Sequence, residues 1–129
     1  MTEIDWDKKK EEWINVVDQL IEQIKEWSDD KSWLSEKNEK TIREENIGQY
    51  PASCLIVKTP QGILSIDPVG RDIIGADGRV DIISFPSFNR MLLVRIDNNW
   101  IIKTDSKIRW PSPWGKDAFY QIVDSLTEE

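Results

Sequence analysis

Histidine is absent from the 129 residues. Its absence removes the imidazole general base, the His-containing catalytic triads and the commonest metal ligand. One cysteine, Cys54, excludes an internal disulfide and any paired-cysteine metal site, and such sparing use suits a reducing compartment. No apolar run reaches bilayer-spanning length, and Met1 to Asp5 carry no apolar signal segment. The expectation is a cytoplasmic chain without membrane or cofactor. Bases are outnumbered, 17 against 24 acids, for a net charge of −7. That balance argues against duplex nucleic acid as a partner, because affinity there comes mostly from neutralised phosphates. Gly70, Gly75 and Gly78 fall in turn-like contexts, without the strand-to-helix setting of a phosphate-binding loop. With no repeat, low-complexity tract or linker, residues 1–129 read as a single domain, long enough to bury a core without disulfides.

What the chain has in surplus is tryptophan, seven residues. Trp6, Trp13 and Trp27 share a seven-residue register, with Leu20 in the vacant slot. The stripe 13–17–20–24–27 steps by four and three, so its side chains line one side of a helix running from about Asp5 to Ser28–Asp30. Ile14 and Ile21 broaden that face. Its first use is docking on the protein's own sheet; a dimerising seam is the alternative. Trp33 and Leu34 suggest a short turn packing back on the core, and the polar run 35–40 reads as a solvent loop.

From Thr41 the period changes towards two. Thr41–Glu45 reads as a weak edge strand. Ala52–Thr59 and Gly62–Asp67 form a hairpin through Pro60-Gln61, with Gly62 assigned the positive-φ position of a bulge. Leu55, Val57, Leu64 and Ile66 then share one core face, and Cys54 and Lys58 the other. A second hairpin is expected from Arg71–Gly75 and Arg79–Phe85 through Ala76-Asp77-Gly78. A third, Arg90–Ile96 with Trp100–Thr104, turns at Asp97-Asn98-Asn99, where Asn tolerates left-handed backbone. Strand 90–96, apolar on both faces, reads as central and covered on both sides, with a partner subunit one source of cover. Ser112 and Pro113 suit an N-cap and first helical residue, and Trp114, Ala118, Phe119, Ile122, Val123 and Leu126 give the closing helix its apolar face. The expected fold is α+β: a long N-terminal helix, an antiparallel meander of five to seven strands and a C-terminal helix, with the helices on one sheet face.

Charge is uneven. Residues 1–46 hold 14 acids against 8 bases, while residues 90–116 set Arg90, Arg95, Lys103, Lys107, Arg109 and Lys116 against Asp97 and Asp105. Two surfaces follow as candidates. Trp100, Trp110, Trp114, Arg95 and Arg109 could hold a ligand or partner, since cations beside aromatics suit an anion; a core lid and solvated charges are the plainer reading. Glu11, Asp18, Glu22, Asp29 and Asp30 offer an acidic helical face to a basic partner, although such a face also simply keeps a domain soluble. Asp67, Asp72, Asp77 and Asp81 match no calcium loop, and Asp67 and Asp77 read as turn aspartates. Cys54, with apolar neighbours and no His to activate it, reads as structural.

The reading that follows is a non-enzymatic protein-binding domain of inhibitor or adaptor type, with homodimerisation open. A small-ligand pocket between sheet and helices is the second reading. A hydrolase using the Asp67–Asp81 carboxylates is the third.

Overall fold

The computed structural model describes residues 5–71, 75–104 and 113–127. Helix α1 spans Trp6–Asp30. Asp5 caps it, its carboxylate accepting from the Lys8 N–H at 3.0 Å. The far end closes with Ser32 at φ 60°: the Trp33 N–H donates to the Ser28 carbonyl and the Ser32 N–H to the Asp29 carbonyl. These two bonds satisfy carbonyls the last turn would leave bare. Of the predicted stripe, Trp13, Val17, Leu20 and Ile24 are each at most 3% exposed, as is Ile21 beside it, while Trp27 is half-buried.

Six strands follow: β1 Leu34–Glu44, β2 Gly48–Thr59, β3 Gly62–Gly70, β4 Arg79–Phe85, β5 Arg90–Ile96 and β6 Asn99–Thr104; helix α2 is Lys116–Thr127. The sheet order is β1-β2-β3-β4-β5-β6, every neighbouring pair antiparallel. The molecule is the α+β meander expected, with both helices on one sheet face.

Register shows which face that is. Leu55 pairs with Ile66 and Val57 with Leu64, all four fully buried. Lys37, opposite Leu55, reaches Asp18 of α1 at 2.8 Å, so this face meets α1. Ser84, opposite Leu64, donates to the Leu126 carbonyl of α2 at 2.7 Å, so the same face meets α2. The helices also meet each other. The Tyr120 hydroxyl donates to the Trp27 carbonyl at 2.7 Å, Lys116 pairs with Asp30 at 2.9 Å, and Trp27, Trp33, Trp114, Phe119 and Tyr120 form a run of ring contacts at 5.5–6.5 Å.

Several expectations need correction. Residues 35–40 are strand, not loop: β1 runs eleven residues as the sheet edge, with Ser35 and Lys37 bonded to α1 and Lys40 to Asp67 of β3. Leu34 therefore opens a strand instead of joining a turn. Gly62 is not at positive φ; its requirement is room, because a Cβ there would lie 2.7 Å from the Phe85 carbonyl oxygen. Asp67-Pro68 is not a turn. β3 continues through it to Gly70 and pairs directly with β4; of the expected strand Arg71–Gly75, residues 72–74 lie outside the described residues. Strand β5 is fifth of six, not central. Helix α2 starts at Lys116, and the Phe119 N–H donates to the Gly115 carbonyl, so Pro113 is not its first residue; Ser112 lies outside the described residues.

The last pairing between β2 and β3 is Leu55 with Ile66. Beyond it, β1 and β2 continue as a two-stranded ribbon, and free ribbons twist strongly. Burial there passes to Ile42, Tyr50 and Ala52, which by pairing parity lie opposite to Leu55, and Ile47 of the turn joins them in the core.

Candidate functional site

Two places on this frame bring together chemistry that could serve recognition. The first is the loop end of the sheet, where the 44–50 turn, the end of β3, residues 75–78 and the β5–β6 hairpin converge. Its geometry starts with the turn Asp97-Asn98, both residues at positive φ (49° and 64°), which joins β5 to β6 in the twist-compatible form. That turn sets Arg95 opposite Trp100 on the helix-facing side, with Lys103 on the other. The Arg95 guanidinium lies over the Trp100 ring, 5.1 Å from its centre, and Trp100 packs on Trp13 at 6.0 Å.

Arg95 is half-buried, and burial pushes its pKa down, partly offset by Asp77. Asp77 is pulled towards Arg71, whose Nη2 is 3.6 Å away. Behind them Glu44 accepts from the Arg71 backbone N–H at 3.0–3.1 Å and from the Tyr50 hydroxyl. Burial, and then the Glu44 carboxylate, hold the Tyr50 hydroxyl well above its usual pKa, so Tyr50 stays a neutral donor. Gly78, at φ 149°, lets the backbone pass against the Trp13 ring.

The second place is on the face away from the helices. Leu34 pairs with Lys58, Lys58 with Ile63, and Ile63 with Phe85, so these four side chains form one row across β1–β4. At ~4.8 Å per strand the row is about 14 Å long. Phe88, on the β4–β5 turn, extends it by an edge-to-face contact with Phe85 at 5.3 Å. Leu34 and Phe88 are 72% exposed, Ile63 40% and Phe85 36%. Among the described residues only Val69 joins them as an exposed large hydrophobic, so four of the five gather here.

Phe88 also holds φ 63°, a conformation rare for a bulky side chain. Hydrogen bonds over-determine it. The Phe88 N–H donates to the Ser84 carbonyl at 2.8 Å, and the Ser84 N–H to the Asn89 carbonyl at 2.9 Å. Side chains of Ser84, Ser87 and Asn89 all donate to the Leu126 carbonyl at 2.7–3.0 Å, tying the turn to the end of α2. Beside the turn, a cleft of about 140 Å³ is lined by Gln61, Phe85, Pro86, Ser87 and Thr127.

The predicted residues are distributed as follows. Trp100 and Arg95 meet at the loop end. Trp114 is half-buried against Trp27 and Phe119 at the junction of the helices. Trp110, Arg109 and Lys107 lie outside the described residues, as does Asp72. On α1, Glu11 is exposed. Asp18 and Glu22 share Lys37, Asp29 pairs with Lys25 at 3.6 Å, and Asp30 with Lys116. Most of that acidic face is thus bound to the protein's own lysines. Asp67 and Asp81 are direct cross-strand partners. Lys40 holds Asp67 at 2.7 Å, and Arg79 grips Asp81 through both oxygens at 2.7 and 2.9 Å. Each carboxylate has its own cation, the arrangement of a polar seam within a sheet. Cys54 sits near this seam, its thiol pKa raised by burial and then by Asp67, which disfavours the thiolate. Among the described residues, no three His, Cys, Asp or Glu side chains cluster as metal ligands, and no helix is long and apolar enough to cross a membrane.

Sequence reasoning missed Leu34, Ile63, Phe85 and Phe88. One signal was present: Phe88 lies inside the connection Pro86-Ser87-Phe88-Asn89, where no strand or helix face would bury it. No protein-family model matches the chain, and no curated protein or solved structure does either.

Proposed function

We propose that this protein is a non-enzymatic protein-binding domain, of inhibitor or adaptor type, that docks through the row Leu34–Ile63–Phe85–Phe88. One observation carries the reading: four of the five exposed large hydrophobics among the described residues gather at one end of the helix-free face, one of them fixed in a backbone conformation that is costly for Phe. Exposed apolar side chains gathered in one place mark interaction surfaces, and strain held in place by surrounding bonds concentrates at functional sites. The acidic charge of α1 supports a partner with a basic surface. Residues 11–30 carry seven acids and one lysine, and such a field steers encounter from a distance even where its near neighbours are paired. The reading places the protein in the cytoplasm and invokes no cofactor.

The test is co-purification at physiological salt from the native cell, with wild type beside Ile63→Thr/Phe88→Asn. A partner retained by wild type and lost by the double variant, with unchanged thermal stability, supports the reading. An identical set of bound proteins from both overturns it. Light scattering on the same preparations reports a second copy as the occupant, if a dimer is present and the variant dissolves it.

A further inference from the structure

We propose that Arg95, stacked on Trp100 at the loop end of the sheet, is an anchor for a ligand carboxylate. The argument begins with what surrounds the guanidinium. One planar face rests on the indole, which is attractive in itself and fixes the plane. The backbone on both sides is pinned: the Asp77 N–H donates to the Arg95 carbonyl at 2.6 Å, and the Arg95 N–H to the Gly78 carbonyl at 2.8 Å. The side chain is thus held at the root and along its plane, while its edge presents five N–H donors in a fixed fork.

Nothing among the described residues accepts from that edge. Arg95 has no ion pair or side-chain hydrogen bond there, unlike Arg43, Arg71, Arg79 and Arg90. Asp77, the acid whose field it feels, is engaged by Arg71. Glu44 is committed to the Tyr50 hydroxyl and the Arg71 backbone. Two half-buried guanidinium groups, Arg71 and Arg95, therefore stand near the exposed Asp77 carboxylate, and only Arg71 pairs with it. A partly desolvated cation without an acceptor is costly to keep, and a bidentate oxyanion removes that cost with two charge-assisted hydrogen bonds.

A carboxylate fits better than a phosphate. One planar fork matches one planar carboxylate, which brings a single negative charge. A phosphate dianion would bring a second negative charge close to Asp77 and Glu44. This proposal does not rest on the apolar row, which lies on the other sheet face.

The experiment is a titration of the labelled full-length protein with sodium acetate at constant ionic strength, followed by the Arg Nε–H and Trp Nε1–H resonances. A parallel arm uses inorganic phosphate. The expected result is saturable movement of the Arg95 Nε–H and Trp100 Nε1–H signals with acetate, weaker movement with phosphate, and loss of the saturable shift in Arg95→Lys, which keeps the charge but not the fork. Linear drift shared by all arginines, or a saturable shift retained in Arg95→Lys, would overturn the proposal. Tighter binding of phosphate than of acetate would overturn the carboxylate assignment. Should Arg95→Lys not fold, acetate protection of Arg95 from phenylglyoxal in wild type, mapped by mass spectrometry, reads the same contact. Protection no greater than at Arg43 counts against it.

Discussion

Gly78 shows how one residue can decide whether the loop end exists. A Cβ built there would lie 2.3–2.8 Å from three carbons of the Trp13 ring, and its φ of 149° is one that side-chain-bearing residues rarely adopt. Trp13 is 3% exposed, so relieving the overlap means shifting a buried ring. Gly78→Ala is expected to cost about 2–3 kcal/mol, measured from the denaturant midpoint, and to shift the Trp100 signals. An unchanged midpoint would show that Trp13 can move. Phe88 is the opposite case, a residue whose side chain works against its backbone. Asn tolerates the left-handed region, so Phe88→Asn should leave stability within about 1 kcal/mol of wild type. The same contrast explains what the sequence could tell. Turn chemistry at Asp97-Asn98 was legible, and with it the Arg95–Trp100 pairing. An aromatic at positive φ contradicts its own propensity, so Phe88 was not.

At the scale of elements, α1 and β1 differ in what forms them. The helix is written in its apolar spacing, which is why its limits were legible within two residues. The 35–40 half of β1 has no apolar residue and no alternation of burial to read. Its backbone ladder to β2 supplies the strand, and side-chain ties to α1 hold it down: Lys37 to Asp18 and Glu22, and Ser35 to Lys25 and Asp29. Those ties depend on pH. Hydrogen bonds from Lys37, then from Ser53, hold the Asp18 carboxyl below its ordinary pKa of 3.8. A depressed carboxylate stabilises the fold above the unfolded-state value and loses that contribution as pH falls through the folded one. Stability should therefore decline more steeply below about pH 4 in wild type than in Asp18→Asn. Because the pair is largely exposed, the effect will be small. Parallel acid-denaturation curves for the two proteins would remove Asp18 as the linked group.

Considered as a whole molecule, the protein is a two-layer structure in which tryptophan serves the joint more than the surface. Trp27, Trp33 and Trp114 meet Phe119 and Tyr120 where the helices touch, and Phe119 is fully buried with four aromatic neighbours. Truncating it removes one large side chain from the aromatic contact between α1 and α2. Phe119→Ala should cost about 3–5 kcal/mol, read by thermal or chemical denaturation. A loss below about 1 kcal/mol would mean that the helices are held by the sheet alone. The surplus of Trp was plain in the sequence, but composition does not say which rings face one another. Among the described residues the exposed aromatics are Phe85 and Phe88, while Trp100 and Trp114 are half-buried.

The order of the strands in the sheet is their order in the chain, so each strand leaving a ribosome finds its neighbour already made. Zippering can proceed hairpin by hairpin from β1 to β6 with little loop entropy to overcome. The helix layer cannot follow that schedule. Ser84, Met91 and the buried end of β4 stay uncovered until residues 114–127 arrive and clasp Trp27. During synthesis the chain therefore passes through a stage with a nearly finished sheet and half a roof. In that interval its helix-side apolar surface, buried in the finished protein, is the part most in need of shelter.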